Sequence, residues 1–247
     1  MKIGNGSARG VFISGTDTGI GKTAVAAGFL RCASEFRNSR YWKPVQTGAD
    51  CDTSEVARLT GLPLSQLMVP HYRFPDPLSP HLAASLAGAK ICVDELTLRF
   101  TEVAHQEFII MEGAGGLLVP LNSSTLIVDL PKRWNLPVIL VAVDRLGAIN
   151  QTLLSIEACQ TRGVEVLGVV WNLATKEFGN AEAVAQYSGI GSLARIFKSS
   201  ADNVVSEVAG SSQIRKLFEM GRPSPQIGSL HASTHCDIVS QVRRSSP

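Results

Sequence analysis

Short runs of uninterrupted apolar residues alternate along this chain with longer stretches whose apolar positions recur at helical spacing. The runs Val11–Ser14, Glu107–Met111, Pro137–Val143 and Val164–Trp171 read as strands, and their lack of polar alternation suits a sheet covered on both faces. Arg40–Val45 reads as a further short strand that Pro44 ends or places at an edge, and Leu193–Phe197 as a weak one. Between them, helices are predicted from about Thr23 to Ser34 (Val25, Phe29 and Leu30 share a face), over Asp52–Leu59, and from Asp94 to about His105. Others are predicted from near Ala148 to about Thr161 and near Ala181–Tyr187. Ser79-Pro80 opens one more, with serine as N-cap and proline at the first position. The proline-rich stretch 69–80 reads as an irregular crossing loop. Strands alternating with helices predict an α/β fold, a doubly wound, mostly parallel sheet with helices on both faces. One domain over 1–200 is expected, followed by a weakly structured C-terminal extension over 201–247 whose end is rich in Ser, Pro, His and Arg.

In such sheets ligands bind beyond the carboxyl ends of the strands, and the informative residues fall there. The first run leads into Gly15-Thr-Asp-Thr-Gly-Ile-Gly-Lys-Thr23. A strand, a glycine-rich turn and a Lys-Thr pair opening a helix form the context of a phosphate-binding loop. The N–H groups of Gly19, Ile20, Gly21, Lys22, Thr23 and Ala24 would face phosphates at a positive helix end. Lys22 would reach the terminal phosphates and the Thr23 hydroxyl would ligate Mg²⁺. The loop is a variant, because the position of the usual first glycine is Thr16 and the glycine stands one residue earlier.

Other strand ends add candidates. Asp52 and Glu112, with Thr23, supply the oxygen donors that Mg²⁺ takes alongside phosphate and water. Gly113, Ala114 and Gly115 form a turn that lets backbone approach a ligand. The helix start near Ala148 offers free N–H groups to a carboxylate or phosphate. Asn172 carries the paired donor and acceptor that an adenine edge requires. Lys43, at the end of the second strand, could meet the phosphate loop across the crevice.

Bulk properties narrow the classes. A net charge of +2 without a basic block gives no footprint for nucleic acid, and no apolar run is long enough for a membrane span. The N-terminal segment lacks a signal-peptide core. Five scattered cysteines without a C-x-x-C pair argue against a zinc site or disulfide framework and suit a reducing cytoplasm.

Taken together, Gly15–Thr23, Tyr41–Gly48, Pro75–His81, Glu112–Gly116, Pro137–Val141, Arg145–Asn150 and Val169–Asn172 resemble the dethiobiotin synthetase family, of P-loop NTPase type, in family order. The resemblance implies ATP- and Mg²⁺-dependent addition of CO₂ to 7,8-diaminopelargonate and ring closure to dethiobiotin. It implies phosphate contacts from Thr18 and Lys22, and a role for Lys43 at the carbamate and the transferred phosphoryl group. It further implies a substrate contact from Thr47, Mg²⁺ on Thr23, Asp52 and Glu112, and adenine on Asn172. In the family a neighbouring subunit supplies the segment holding the substrate carboxylate, here Leu146, Gly147, Ala148, Ile149 and Asn150, which implies a homodimer. One departure is Ala194–Phe197, where the family has a Gly-x-hydrophobic-Pro turn after the last core strand, near the adenine; weak nucleotide discrimination is expected. The alternatives are a partitioning or site-positioning ATPase and a nucleotide-binding paralogue without synthetase activity. The first would carry an extra lysine early in the loop, and here none precedes Lys22.

Overall fold

The computed structural model describes residues 9–174 and 178–219 of the 247-residue chain. The chain runs β1 (Gly10–Gly15), α1 (Lys22–Ser34), β2 (Ser39–Trp42), β3 (Val45–Thr47), α2 (Asp52–Thr60), β4 (Leu67–Met68), β5 (Tyr72–Phe74), α3 (Pro80–Leu86) and α4 (Val93–Ala104). It continues through β6 (Phe108–Gly116), α5 (Asp129–Trp134), β7 (Val138–Val143), α6 (Ala148–Gln160), β8 (Val166–Ala174), α7 (Asn180–Ser188), β9 (Ser192–Phe197), α8 (Ala201–Gly210) and α9 (Ser212–Glu219). Seven strands form one sheet in the order β4-β2-β6-β1-β7-β8-β9, and every pairing in it is parallel.

Successive strand residues point to opposite faces, and each face has its own core. Phe12, Trp42, Ile109, Met111, Leu140 and Trp171 pack on the side of α3 to α7. Val11, Ile13, Tyr41, Ile110, Val141 and Val170 pack on the side of α1, α2, α8 and α9. The sheet is therefore buried on both faces, which is why its strands read as continuous apolar runs. β1 is central, with β6 and β7 on either side, so chain direction across the sheet reverses there. This puts the end of β1 at the crevice where a ligand binds in a doubly wound sheet.

Several boundaries differ from expectation. Arg40–Val45 is not one strand: β2 stops at Trp42, and Val45 starts β3, which pairs with β5 in a separate two-stranded sheet. The stretch 69–80 is accordingly not wholly irregular, since it contains β5. Ser79 occupies the N-cap position of α3, but its hydroxyl contacts His81 Nδ1 at 3.1 Å rather than capping the helix. Leu193–Phe197, expected as a weak strand, does lie within β9.

The largest correction concerns the C-terminal extension. Residues 201–219, expected to be weakly structured, form α8 and α9, whose Val205, Val208, Ile214 and Phe218 are fully buried. Ser200 caps α8, its hydroxyl accepting the Asn203 N–H. Gly28 lets α1 and α8 approach closely: a Cβ there would lie 2.5 Å from Val208 Cβ. Phe218 stacks on Phe36 and meets Phe29 and Phe108 edge-on. The remainder of the expected extension, 220–247, lies outside the described residues.

Candidate functional site

The loop between β1 and α1 turns on Gly19 and Gly21, both left-handed at φ 71° and 86°. Gly21 has a second constraint, because a Cβ there would stand 2.3 Å from Asn172 Nδ2. Asn172 is buried at the end of β8, and its amide donates to the Ile20 carbonyl at 2.9 Å, tying the loop to the sheet. Its Oδ1 has no hydrogen-bond partner among the described residues, and Asn172 does not line the cleft that opens over Lys22 and Glu112. The next residue, Leu173, has φ 56°, a conformation a leucine seldom adopts, where β8 slips register against β9.

Lys22 folds back and donates to the Asp17 carbonyl at 2.7 Å. Burial, opposed by Glu112 and reinforced by the Lys43 charge, draws its pKa below the ordinary value. Asp17 in turn accepts from Arg145 at 3.2 Å, so the phosphate loop is braced from the β7 end.

Glu112 is the centre of the site. It projects from β6 with 1% exposure. Its Oε1 accepts from the Thr23 hydroxyl at 3.0 Å and the Lys43 ammonium at 3.2 Å; its Oε2 accepts from the Tyr41 hydroxyl at 2.8 Å. Lys43 also pairs with Asp52 Oδ2. Burial opposes charge on Lys43, but Glu112 and Asp52 outweigh it and hold the pKa above the ordinary value. Burial and the Glu112 carboxylate push the Tyr41 hydroxyl well above its own, so it stays a neutral donor.

A cleft of about 440 Å³ opens over these groups. Of the residues expected at the site, Thr18, Gly19, Gly21, Lys22, Thr23, Lys43, Thr47, Asp52, Glu112, Ala114 and Gly115 line it. Gly113 does not: it is packed on Phe12 and Ile127, where a Cβ would come within 2.8 Å of the Phe12 ring. Ile20 and Ala24 are buried in the core, leaving their backbone as the part that could serve. Leu146 to Asn150 do not line the cleft either; Leu146 is 95% exposed and α6 begins at Ala148. A second cavity of about 460 Å³ adjoins at Thr16–Thr18 and runs along Gly116–Pro120 and the α6 residues Gln151, Leu154, Ser155 and Ala158.

Sequence reasoning missed Tyr41, Gln46 and Asp50. Gln46 accepts the Asp52 N–H at 3.2 Å and so anchors the start of α2, while Asp50 lines the cleft. Tyr41 and Gln46 lie within the quoted Tyr41–Gly48 segment, but a buried Tyr or Gln carries no spacing signature.

The chain's similarities agree with this geometry. A family described as an AAA domain matches residues 9–201. An ATP-dependent dethiobiotin synthetase of Leptospira interrogans is 40% identical over 201 residues, covering 80% of this chain and 90% of that one. The chain belongs to the dethiobiotin synthetase family. Another member, from Rhodopseudomonas palustris (strain BisA53), is 38% identical over 85% of this chain and 96% of its own. Among solved structures, a plasmid partition protein from Borrelia burgdorferi superposes with a TM-score of 0.53 at 11% identity, covering 85% of this chain and 98% of its own. A ParA family ATPase from Chlorobium tepidum TLS gives 0.51 at 14%, covering 85% and 97%. These show the P-loop fold, whereas the dethiobiotin synthetase relatives carry the family.

Proposed function

We propose that this chain is an ATP-dependent dethiobiotin synthetase that closes the ureido ring of dethiobiotin from 7,8-diaminopelargonate and CO₂. The observation that carries the reading is the convergence of Lys22, Lys43, Thr23, Asp52 and Glu112 on one cleft at the phosphate loop. An amine of the substrate adds to CO₂ and becomes a carbamate. A carbamate oxygen attacks the γ-phosphorus of ATP, the bond to ADP breaks, and a carbamic–phosphoric anhydride results. The second amine attacks the anhydride carbonyl and phosphate leaves.

Two anions must meet in this sequence, so positive charge has to be in place before they do. Lys43 is held charged by its two carboxylate neighbours. Its nitrogen is a cation already sited between Asp52 and Glu112, so the pair can offset positive charge. With the Thr23 hydroxyl these are hard oxygen donors, the set that fits Mg²⁺. Thr23, Asp52 and Glu112 would hold it, and when bound it would neutralise charge on the phosphates. The loop N–H groups and Lys22 would orient the triphosphate, Thr18 would contact phosphate, and Asn172 Oδ1 would accept from adenine. Thr47 would contact the substrate amines, with its aliphatic chain in the adjoining cavity. The 146–150 segment, which does not line the cleft of its own chain, would hold the carboxylate from a second copy. This makes the enzyme a homodimer. Among the described residues no helix is long and apolar enough to cross a membrane. A cytoplasmic site of action is part of the proposal.

The test is incubation with 7,8-diaminopelargonate, ¹⁴C-bicarbonate and MgATP. Labelled dethiobiotin is expected, with one ADP per turnover. ATP hydrolysis that is indifferent to diaminopelargonate would overturn the reading.

A further inference from the structure

The two oxygens of Glu112 have different surroundings. Oε1 faces the cleft, with Thr23 at 3.0 Å and Lys43 at 3.2 Å. Oε2 takes the phenolic proton of Tyr41 at 2.8 Å. Tyr41 lies on β2 opposite Ile110 of β6, two residues before Glu112, and is fully buried in the core on the α1 side. Its ring is fixed by that packing, so its hydroxyl is a fixed donor. Asp52 is different: its side chain is 21% exposed at the start of α2 and has room to turn.

We propose that Tyr41 is a positioning residue that restricts Glu112 to one-oxygen coordination and so makes the site select Mg²⁺ over Ca²⁺. This rests on the reading of Glu112 as a cation ligand. Mg²⁺ demands near-octahedral geometry at about 2.0–2.1 Å, whereas Ca²⁺ accepts roughly six to eight oxygens and bidentate carboxylates. For both oxygens to reach one cation in the cleft the carboxylate has to turn, which draws Oε2 off the fixed Tyr41 hydroxyl and leaves that buried hydroxyl unpaired. A cation that gains from bidentate coordination therefore gains nothing here. Tyr41→Phe keeps the ring and removes the clamp. Oε2 is then free, the carboxylate can rotate, and the larger cation can take both oxygens.

The experiment is calorimetric titration of MgCl₂ and, separately, CaCl₂ into the enzyme carrying one equivalent of a non-hydrolysable ATP analogue. Wild type, Tyr41→Phe and Glu112→Gln are compared, with the thermal midpoint of each. Tyr41→Phe is expected to weaken Mg²⁺ binding about tenfold, the usual size of an outer-shell loss. Ca²⁺ is expected to lose less, so the affinity ratio moves at least about threefold toward Ca²⁺. Equal weakening of both cations with a lowered thermal midpoint would show a merely structural tyrosine and overturn the proposal. Unchanged affinities in Tyr41→Phe, with Mg²⁺ lost in Glu112→Gln, would overturn it while leaving the cation-ligand reading standing. Wild-type Mg²⁺ binding by Glu112→Gln would show that the ligand reading itself had failed. Should Tyr41→Phe not fold, a crystal structure of the wild type with Mg²⁺ and the analogue decides the matter. Oε1 alone on the metal, with Oε2 still on the phenol, is expected; both oxygens on the metal would overturn the proposal.

Discussion

Lys22 and Lys43 are both lysines in one cleft, yet their environments set them apart. Lys22 is drawn down by burial and held by a backbone carbonyl, while Lys43 is held up by two carboxylates. Lys22 needs to let go of Asp17 to reach phosphate, a small motion of one side chain. Lys22→Ala should lose charge stabilisation worth about 3 kcal/mol of barrier. Steady-state turnover of the folded variant checks this, and near-normal rates would remove Lys22 from the chemistry. Lys43 is expected to act mainly on the transition state, since only interactions stronger there than in the ground state raise turnover. Lys43→Gln keeps donors and approximate length but no charge. It should cut turnover by about a hundredfold or more while ATP affinity changes far less, a comparison made by titration and by dethiobiotin formation at saturation. Equal losses in both would place Lys43 in binding alone.

At the scale of elements, α1 connects the site to the core. Its first turn carries Lys22 and Thr23, and its middle packs on α8 through Gly28. Gly28→Val should drive a side chain into Val205 and Val208, an overpacking cost of about 2 kcal/mol. In a chain of this size that corresponds to a thermal midpoint lowered by about 5 °C, measurable by calorimetry. Affinity for ATP well below the transition should remain close to that of the wild type, since Gly28 lies away from the loop. The last strand supports a second expectation. Ala194–Phe197, where the resemblance led to the expectation of a Gly-x-hydrophobic-Pro turn, is continuous strand, and Phe197 ends it half exposed. With strand in place of the expected adenine-side turn, discrimination of ATP from GTP and CTP should be less than about a hundredfold, or about 2.7 kcal/mol. Competition among the three triphosphates in product formation is the check.

At the scale of the molecule, the cleft and the 146–150 segment of one chain do not meet. If a second copy supplies that segment, two defective variants should rescue each other. Lys43→Ala damages the cleft, and Asn150→Asp puts a negative charge where a carboxylate is to bind. Each should be nearly inactive alone. After unfolding and refolding together, mixed dimers should contain one intact site, restoring about a quarter of wild-type activity by random pairing of a two-fold dimer. Activity that stays at the sum of the two parents would mean that each site is built from a single chain.

The sequence by itself determined the doubly wound sheet and the phosphate loop, because these depend on local order, and it named Thr23, Asp52 and Glu112 as separate candidates. A buried strand shows as an apolar run, and a phosphate loop needs its glycines, lysine and threonine at fixed spacing. Val204, Val205 and Val208 fall on one face of α8 after the Ser200 cap, yet the segment read as weakly structured. Polar composition further along obscured that signal. What only the tertiary structure decided is which groups share a carboxylate. Lys43, with no motif of its own, acquires its place from β2 lying beside β6, which puts its ammonium on Glu112 and Asp52. Tyr41 donates to Glu112 for the same reason, and Asn172 faces Ile20 because β8 ends beside the loop. Gly113, read as room for a ligand, turned out to make room for Phe12. These contacts join residues far apart in the chain, and nothing in local spacing encodes which strands become neighbours.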